Sequence, residues 1–348
     1  MATITQLEHS YLTGVINNVK SRAQALHELL YSNHQSLPTE SMEIGFLSKG
    51  REAAPYVKVN AEAVLVSGGT EQLVTLKAPN IRIKRAFSPS ELLFGRRPGA
   101  NIFISSGSEL QSSIDQYIAR ETAYLGDAIA HAQEVQAAQT LTGALSYSNE
   151  TGDVWTVTFP RDAGLTLDPG AGNYWDTDDP LDAIYTIQSR MSELQGFQPD
   201  LCIMGALATA AFRANTFVKA TLAMFNNAGL GRATYTEMFR ENGMIYCGTY
   251  GGVEFWGYPR TVLVNGSATD LIRSKYAEFI STSAGTERVE YFAAMMDMTA
   301  FGGQLMVGER FSKSWKQEDP SVMFQLANSR PLCVPRQVNA SASVQVVA

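Results

Sequence analysis

The residues best placed to do chemistry are four aspartates within a short stretch, Asp176, Asp178, Asp179 and Asp182. Such a cluster offers hard oxygen ligands to a divalent cation, and on that reading the chain is a metal-dependent α/β enzyme. The competing reading is structural. Asp179 precedes Pro180, an N-cap followed by proline at the first helical position, and acids gathered before a helix N-terminus are stabilised by its dipole and satisfy its free N–H groups. Other reactive residue types are poorly arranged. His9, His27, His34 and His131 all fall in the N-terminal part of the chain, no pair has zinc-protease spacing, and no serine sits in a nucleophile elbow. Gly68-Gly69-Thr70 and Gly251-Gly252 lack the strand, spacing and lysine of a phosphate loop and read as tight turns. Cys202, Cys247 and Cys333 are odd in number and widely spaced, which argues against a disulfide framework and against a thiolate zinc site, so they are expected to be buried and reduced. Trp155, Trp175, Trp256 and Trp315 read as anchors of cores or interfaces. No catalytic residue, cofactor or metal is expected.

The elements that would position these residues set further bounds. A chain of 348 residues with 45% hydrophobic content can bury a real core, and its length suggests two or three domains. No run approaches the roughly 18 apolar residues of a membrane span, and the N-terminus lacks the basic-then-apolar order of a signal peptide, so a protein made in the cytosol is expected. The formal charge of −7, without a long block of like charge, argues against a protein built to grip nucleic acid through its phosphates. Any DNA contact is expected to be weak and non-specific.

The dominant pattern is one long helix, Ser108 to Thr142, with apolar residues Leu110, Ile114, Ile118, Leu125, Ile129, Ala132, Val135 and Ala138 forming a stripe. Ser108 with Gln111 reads as a capping box and Gly143 as the terminator. Residues 4–31 carry a second helical pattern, read as an amphipathic arm that docks on something. From Met42 to about Lys84 come short strand-like runs, Tyr56 to Val59, Ala63 to Ser67, Leu73 to Leu76 and Ile81 to Ile83. They suggest an extended β loop that needs a partner surface to be ordered. A basic turn-rich stretch with Arg85, Arg96, Arg97 and Pro98 leads to the long helix. After it come a hairpin, Ala144 to Ser148 and Val154 to Phe159 about a turn through Asn149 and Gly152, and a linker rich in Gly and Asp. Helices over 179–194 and 207–225, a buried strand over Leu201 to Met204, and strands within 244–264 make up an α/β block. The small-residue stretch Asn339 to Ser343 leads into a last strand, Val344 to Val347.

The C-terminal segment carries a resemblance. Arg310, Phe311, Ser312, Lys313, Ser314 and Trp315, then Asp319-Pro320, Phe324 to Leu326, Pro331-Leu332 and Val344 to Val346, resemble the end of lambda-like major capsid proteins of tailed bacteriophages, the capsid protein E family. Other blocks agree in order: Tyr246, Gly248, Tyr250, Gly251 and Val253; Phe212, Arg213, Phe217, Val218 and Lys219; Glu134, Val135, Gln136, Ala137 and Gly143; and Trp175 with Asp179 and Ala183. The resemblance runs from about residue 40 to the end. It departs at Ser312, where the family pattern has proline, and in residues 1–25, which do not align.

The resemblance implies an α+β chain with the Hong Kong ninety-seven capsid fold. Its parts would be an N-terminal arm (1–40), an extended loop (41–86), a peripheral domain with a spine helix (87–175, spine 108–142), an axial α/β domain (176–300) and C-terminal strands returning to the peripheral domain (301–348). It implies copies that self-assemble into pentamers and hexamers of an icosahedral shell, first as a precursor, then expanding as DNA is packaged, with no catalytic step. Expected partners are further copies of the chain, a scaffolding protein, a portal and a decoration protein. The place of action is the virion, after synthesis in the host cytoplasm. Charged residues of the loop and spine, Arg51, Glu52, Lys58, Arg120 and Glu121, are the candidates for intersubunit contacts. Lys49 or Lys58 would matter if covalent cross-links formed between subunits, which the lambda-like branch gives no reason to expect. A tail-tube protein is the rival within virion assembly, but a tube should be mostly β.

Overall fold

The computed structural model describes residues 9–18, 24–48, 70–89, 91, 107–148, 154–221, 242–283, 288–299 and 305–348. Arg51, Glu52, Lys58 and Lys49, the runs Tyr56 to Val59 and Ala63 to Ser67, Gly68-Gly69, Arg96 to Pro98 and the turn through Asn149 and Gly152 lie outside them, as do parts of the expected helices over 4–31 and 207–225.

A single helix of 35 residues, Gly107–Leu141, organises the chain; at 1.5 Å per residue it is about 50 Å long. It begins before Ser108, so that serine is not its N-cap. Ile114, Ile118, Leu125 and Ile129 are buried as the periodicity predicts. The C-terminal half departs from a simple stripe: Gln133, Glu134, Gln136 and Thr140 are buried beside Ala137 and Ala138, because other elements close on this half from several sides. The end is sharp. Gly143 has φ +86°, and Arg161 donates to the carbonyls of Leu141 (2.6 Å) and Thr142 (2.9 Å). A cation is thereby placed on the negative end of the helix dipole. A Cβ on residue 143 would stand 3.0 Å from Arg161 Nε, so a side chain there would meet both the arginine and the backbone strain of a left-handed φ.

A six-stranded mixed sheet forms the second body, in the order 166–167, 341–345, 276–280, 201–204, 253–257, 245–250. Leu201–Met204 runs parallel to Val253–Gly257 and antiparallel to Tyr276–Ile280, and all four of its residues are buried. An apolar run without alternation is what a strand covered on both faces needs. Cys202 and Met204 point into a core with Trp175, Ile184, Ile187, Phe212 and Phe255, while Leu201 and Ile203 point into another with Leu26, Leu30, Tyr31, Ala137, Leu141 and Trp256. One face therefore carries the helices Pro180–Gln195 and Ala206–Ala214, and the other carries the arm and the end of the long helix.

Several expected boundaries move. The N-terminal pattern is two helices, His9–Asn17 and Ala25–Leu30, rather than one. The helix expected over 207–225 stops at Ala214 and a new one runs through 216–221. Asn215 is the reason: its Oδ1 accepts from the N–H of Phe217 (2.8 Å) and Val218 (3.2 Å), so its side chain starts the second helix where its backbone ends the first. Ile81–Phe87, read as part of the extended loop, pairs with Val322–Ser329, which pairs in turn with Phe311–Gln317. The terminal strand is Ser341–Gln345. It does not return with Phe311–Gln317 and Val322–Ser329 to that sheet but enters the six-stranded one beside Tyr276–Ile280, since Ala342 and Val344 are core residues there. The hairpin Ala144–Ser148 with Val154–Thr158 forms as expected.

Candidate functional site

The aspartate cluster resolves as structure. Asp179 Oδ1 accepts from Leu181 N–H at 3.0 Å and from the Tyr250 hydroxyl at 2.8 Å, which caps the helix behind Pro180 and ties it to the sheet. Asp176, Asp178 and Asp182 do not converge with it into a ligand group among the described residues. The nearby groove of about 480 Å³ is lined by Tyr185, Gln188, Ser189, Ser192, Glu193 and Gln198, without histidine, cysteine or aspartate.

The polar groups that do converge lie where the N-terminal arm meets the long helix and two C-terminal strands. Asn33–Leu37 runs parallel to Arg288–Ala293, which is antiparallel to Pro331–Pro335. Buried Glu290 is the centre. Its Oε2 lies 2.9 Å from His34 Nδ1 and 3.0 Å from His27 Nε2, and its Oε1 accepts from Gln133 Nε2 at 2.7 Å. The His27 contact has the distance of an ion pair without a hydrogen bond's alignment, so Nε2 is left without a hydrogen-bond partner. Gln133 Oε1 accepts from Arg310 (2.8 Å) and from Gln24 (3.1 Å). Burial by itself would raise the Glu290 carboxyl's pKa, but the two histidines facing it, His27 and His34, outweigh it and bring the value down to about 2. His34 is shifted up, chiefly by its bond to Glu290.

One residue further along the long helix, Glu134 caps an element that has no cap of its own. Helix Ala25–Leu30 follows Gln24, which makes no side-chain cap bond. Glu134 instead accepts from the N–H of Leu26 (3.0 Å) and His27 (2.9 Å), and from Tyr258 Oη (3.0 Å). Desolvation dominates and raises its pKa, the amide donors partly opposing it. The first arm helix is held by Thr13, which bonds Ser312 in both directions, accepting from its N–H at 3.2 Å.

Sequence reasoning missed this cluster because its members are separated by up to 286 residues, Gln24 to Arg310. The usable signal was polar residues at buried helix positions, Gln133 and Glu134. Of the expected contact residues within the described chain, Glu121 is buried and its Oε2 lies 2.5 Å from Arg85 Nη1 of the strand Ile81–Phe87. Arg120 is half exposed, 3.5 Å from Glu121 Oε1 and stacked over Tyr117. No helix among the described residues is long and apolar enough to cross a membrane. Cys202 and Cys333 are buried and Cys247 partly so, all free.

The family model described as phage major capsid protein E matches residues 8–346. Among solved structures, a protein assigned as a prophage capsid protein from E. coli CFT073 superposes with a TM-score of 0.72 at 14% identity, covering 99% of this chain and 100% of the other. A phage-related protein from Bordetella bronchiseptica RB50 gives 0.56 at 12% identity, with 98% of each chain covered. The capsid subunit of cyanophage A-1(L) gives 0.50 at 10% identity, covering 95% and 94%. No curated protein matches the sequence.

Proposed function

The chain belongs to the phage major capsid protein E family, and from that premise we propose that its copies form the pentamers and hexamers of an icosahedral phage head that expands as DNA is packaged. Membership itself makes it a major capsid protein of the Hong Kong ninety-seven type, and the virion is where it acts. The carrying observation is the family match over nearly the whole chain. The role is mechanical rather than enzymatic.

Residues 1–40 are assigned as the arm, 41–86 as the extended loop, 87–175 as the peripheral domain, 176–300 as the axial domain and 301–348 as the C-terminal strands, of which the last, Ser341–Gln345, joins the six-stranded sheet. The strand Ile81–Phe87 and the terminal strand supply the links between these parts. Arg51, Glu52, Lys58 and Arg120 are intersubunit contact residues on this reading. Glu121, engaged by Arg85, contributes by holding the loop end and the spine together. A scaffolding protein, a portal and a decoration protein are the partners a shell of this family would use, with weak contact to packaged DNA. Synthesis takes place in the host cytoplasm.

Expression of the chain alone, and with its neighbouring virion genes, followed by sedimentation and negative-stain imaging, tests the proposal. Closed shells or free capsomers are expected. A monomer or dimer under every condition would sink it.

A further inference from the structure

Three strands place His34, Glu290 and Cys333 in one row. His34 pairs in register with Glu290, and Glu290 with Cys333. Directly paired residues on neighbouring strands project to the same face of a sheet, so an imidazole, a carboxylate and a thiol stand side by side. His27, from the helix Ala25–Leu30, completes the group, its ring stacked on that of His34 with centroids 5.9 Å apart. The ligand atoms of His27, Glu290 and Cys333 all lie within 4.8 Å of one another, and all three residues are buried. His34 Nδ1 reaches the same Glu290 oxygen at 2.9 Å, with its side chain 39% exposed at the mouth.

We propose that this cluster is a structural metal site for a zinc-class divalent cation, with His27, Glu290 and Cys333 as buried ligands and His34 as the fourth. Three features support it. Metal–ligand bonds of about 2.0 to 2.3 Å put tetrahedral ligand atoms about 3.3 to 3.7 Å apart; the ligand atoms of His27, Glu290 and Cys333, all within 4.8 Å of one another, reach that spacing by side-chain rotation, and His34, outside that group, swings in from the mouth as the fourth. His27 Nε2 is buried without a hydrogen-bond partner, a costly state that a metal bond removes. Charge also balances: one thiolate, one carboxylate and two neutral imidazoles around a dication sum to zero, so the centre carries no net charge into the interior. Nitrogen, sulfur and oxygen donors together suit zinc or cobalt rather than magnesium or calcium. Binding releases the thiol proton and any imidazolium protons to solvent. An outer partner is already in place, with Gln133 donating to Glu290 Oε1. Four protein ligands leave no open position, so the metal would fasten the arm to the C-terminal strands rather than catalyse. The inference rests on these side chains alone and is independent of the shell.

The test uses the full chain purified from zinc-supplemented cells, with metal content read by mass spectrometry and the zinc then exchanged for Co(II). About one ion per chain is expected, as for other structural sites. With Co(II), the expected spectrum has the intense visible bands of a four-coordinate centre and a thiolate-to-cobalt charge-transfer band. That band disappears in Cys333→Ser and persists in Cys202→Ser. His34→Ala, at the exposed position, should weaken zinc binding by at least the roughly 10–100-fold that loss of an outer partner costs, with a folded metal-free chain. Less than about a tenth of an ion per chain after exposure to excess zinc overturns the proposal, as do identical cobalt spectra for wild type and folded Cys333→Ser. Should Cys333→Ser not fold, an unchanged zinc affinity in His34→Ala overturns it instead.

Discussion

The six-stranded sheet and the arm clamp are both buried, yet they are held in different ways. The sheet is held by area. Phe255 stacks on Phe212 at 4.4 Å and meets Trp175 and Phe279 edge-on, with aliphatic residues from two helices filling the rest. The clamp adds directed polar contacts to the apolar packing of Leu26, Leu30 and Tyr31: Glu290 between two imidazoles, Glu134 on the end of a six-residue helix, and Arg310 on Gln133. Apolar burial is non-directional and additive, so it stabilises strongly and tolerates repacking. A buried charged group adds little net stability because desolvation offsets its contacts, but removing its partner is severe. The sheet therefore supplies most of the stability, and the clamp's polar contacts supply specificity in how the arm is attached.

Truncating the sheet should have the largest effect. Phe255→Ala is expected to cost about 3–5 kcal/mol, in the range for large aromatic deletions, and to lower the urea midpoint of the whole chain. Glu134→Ala is expected to cost about 3 kcal/mol, since it leaves two amides and a hydroxyl without acceptors. Its signature differs: limited proteolysis should cut within residues 9–37 while the sheet stays resistant. Equal loss of protection in both regions would mean that arm and sheet fold as one unit.

The pH dependence sharpens the same contrast. In chelator-treated protein, Glu290, whose pKa is held down to about 2, contributes stability that is present above its ordinary value of 4.5 and lost as the pH falls toward 2. His34, shifted upward, contributes stability that is complete below its ordinary 6.5 and lost as the pH rises through its folded value. Arm protection by hydrogen exchange should thus be greatest between about pH 4.5 and 6.5. Protection that rises steadily to pH 9 would contradict the pairing. The smallest effect is expected at the helix cap, where Asp179→Ala should cost about 1 kcal/mol without altering arm protection. Calorimetry checks it.

Elements with strong local signals are legible in the residues themselves. The long helix differs by one residue at each end from its expected span, and Asp179-Pro180 starts a helix as its residue types require. Leu201–Met204 is legible as buried, because a short unbroken apolar run has few other uses. The misses share a cause. Asn215 looks like an ordinary helical position until its side chain turns back to cap, and Ile81–Phe87 looks like the end of a loop until Val322–Ser329 pairs with it. Periodicity tells which face of an element is buried but not what covers it.

The sequence alone determined the long helix, the α/β block with its caps, and, through short motifs in order, the family. These depend on residues within a few positions of each other, where backbone geometry leaves few choices. Only the tertiary structure decided that His27, His34, Glu290 and Cys333 meet and that the last strand joins the six-stranded sheet rather than its neighbours. Contacts across hundreds of residues are set by how whole faces pack, and buried polar groups carry no periodic signature that would announce their partners.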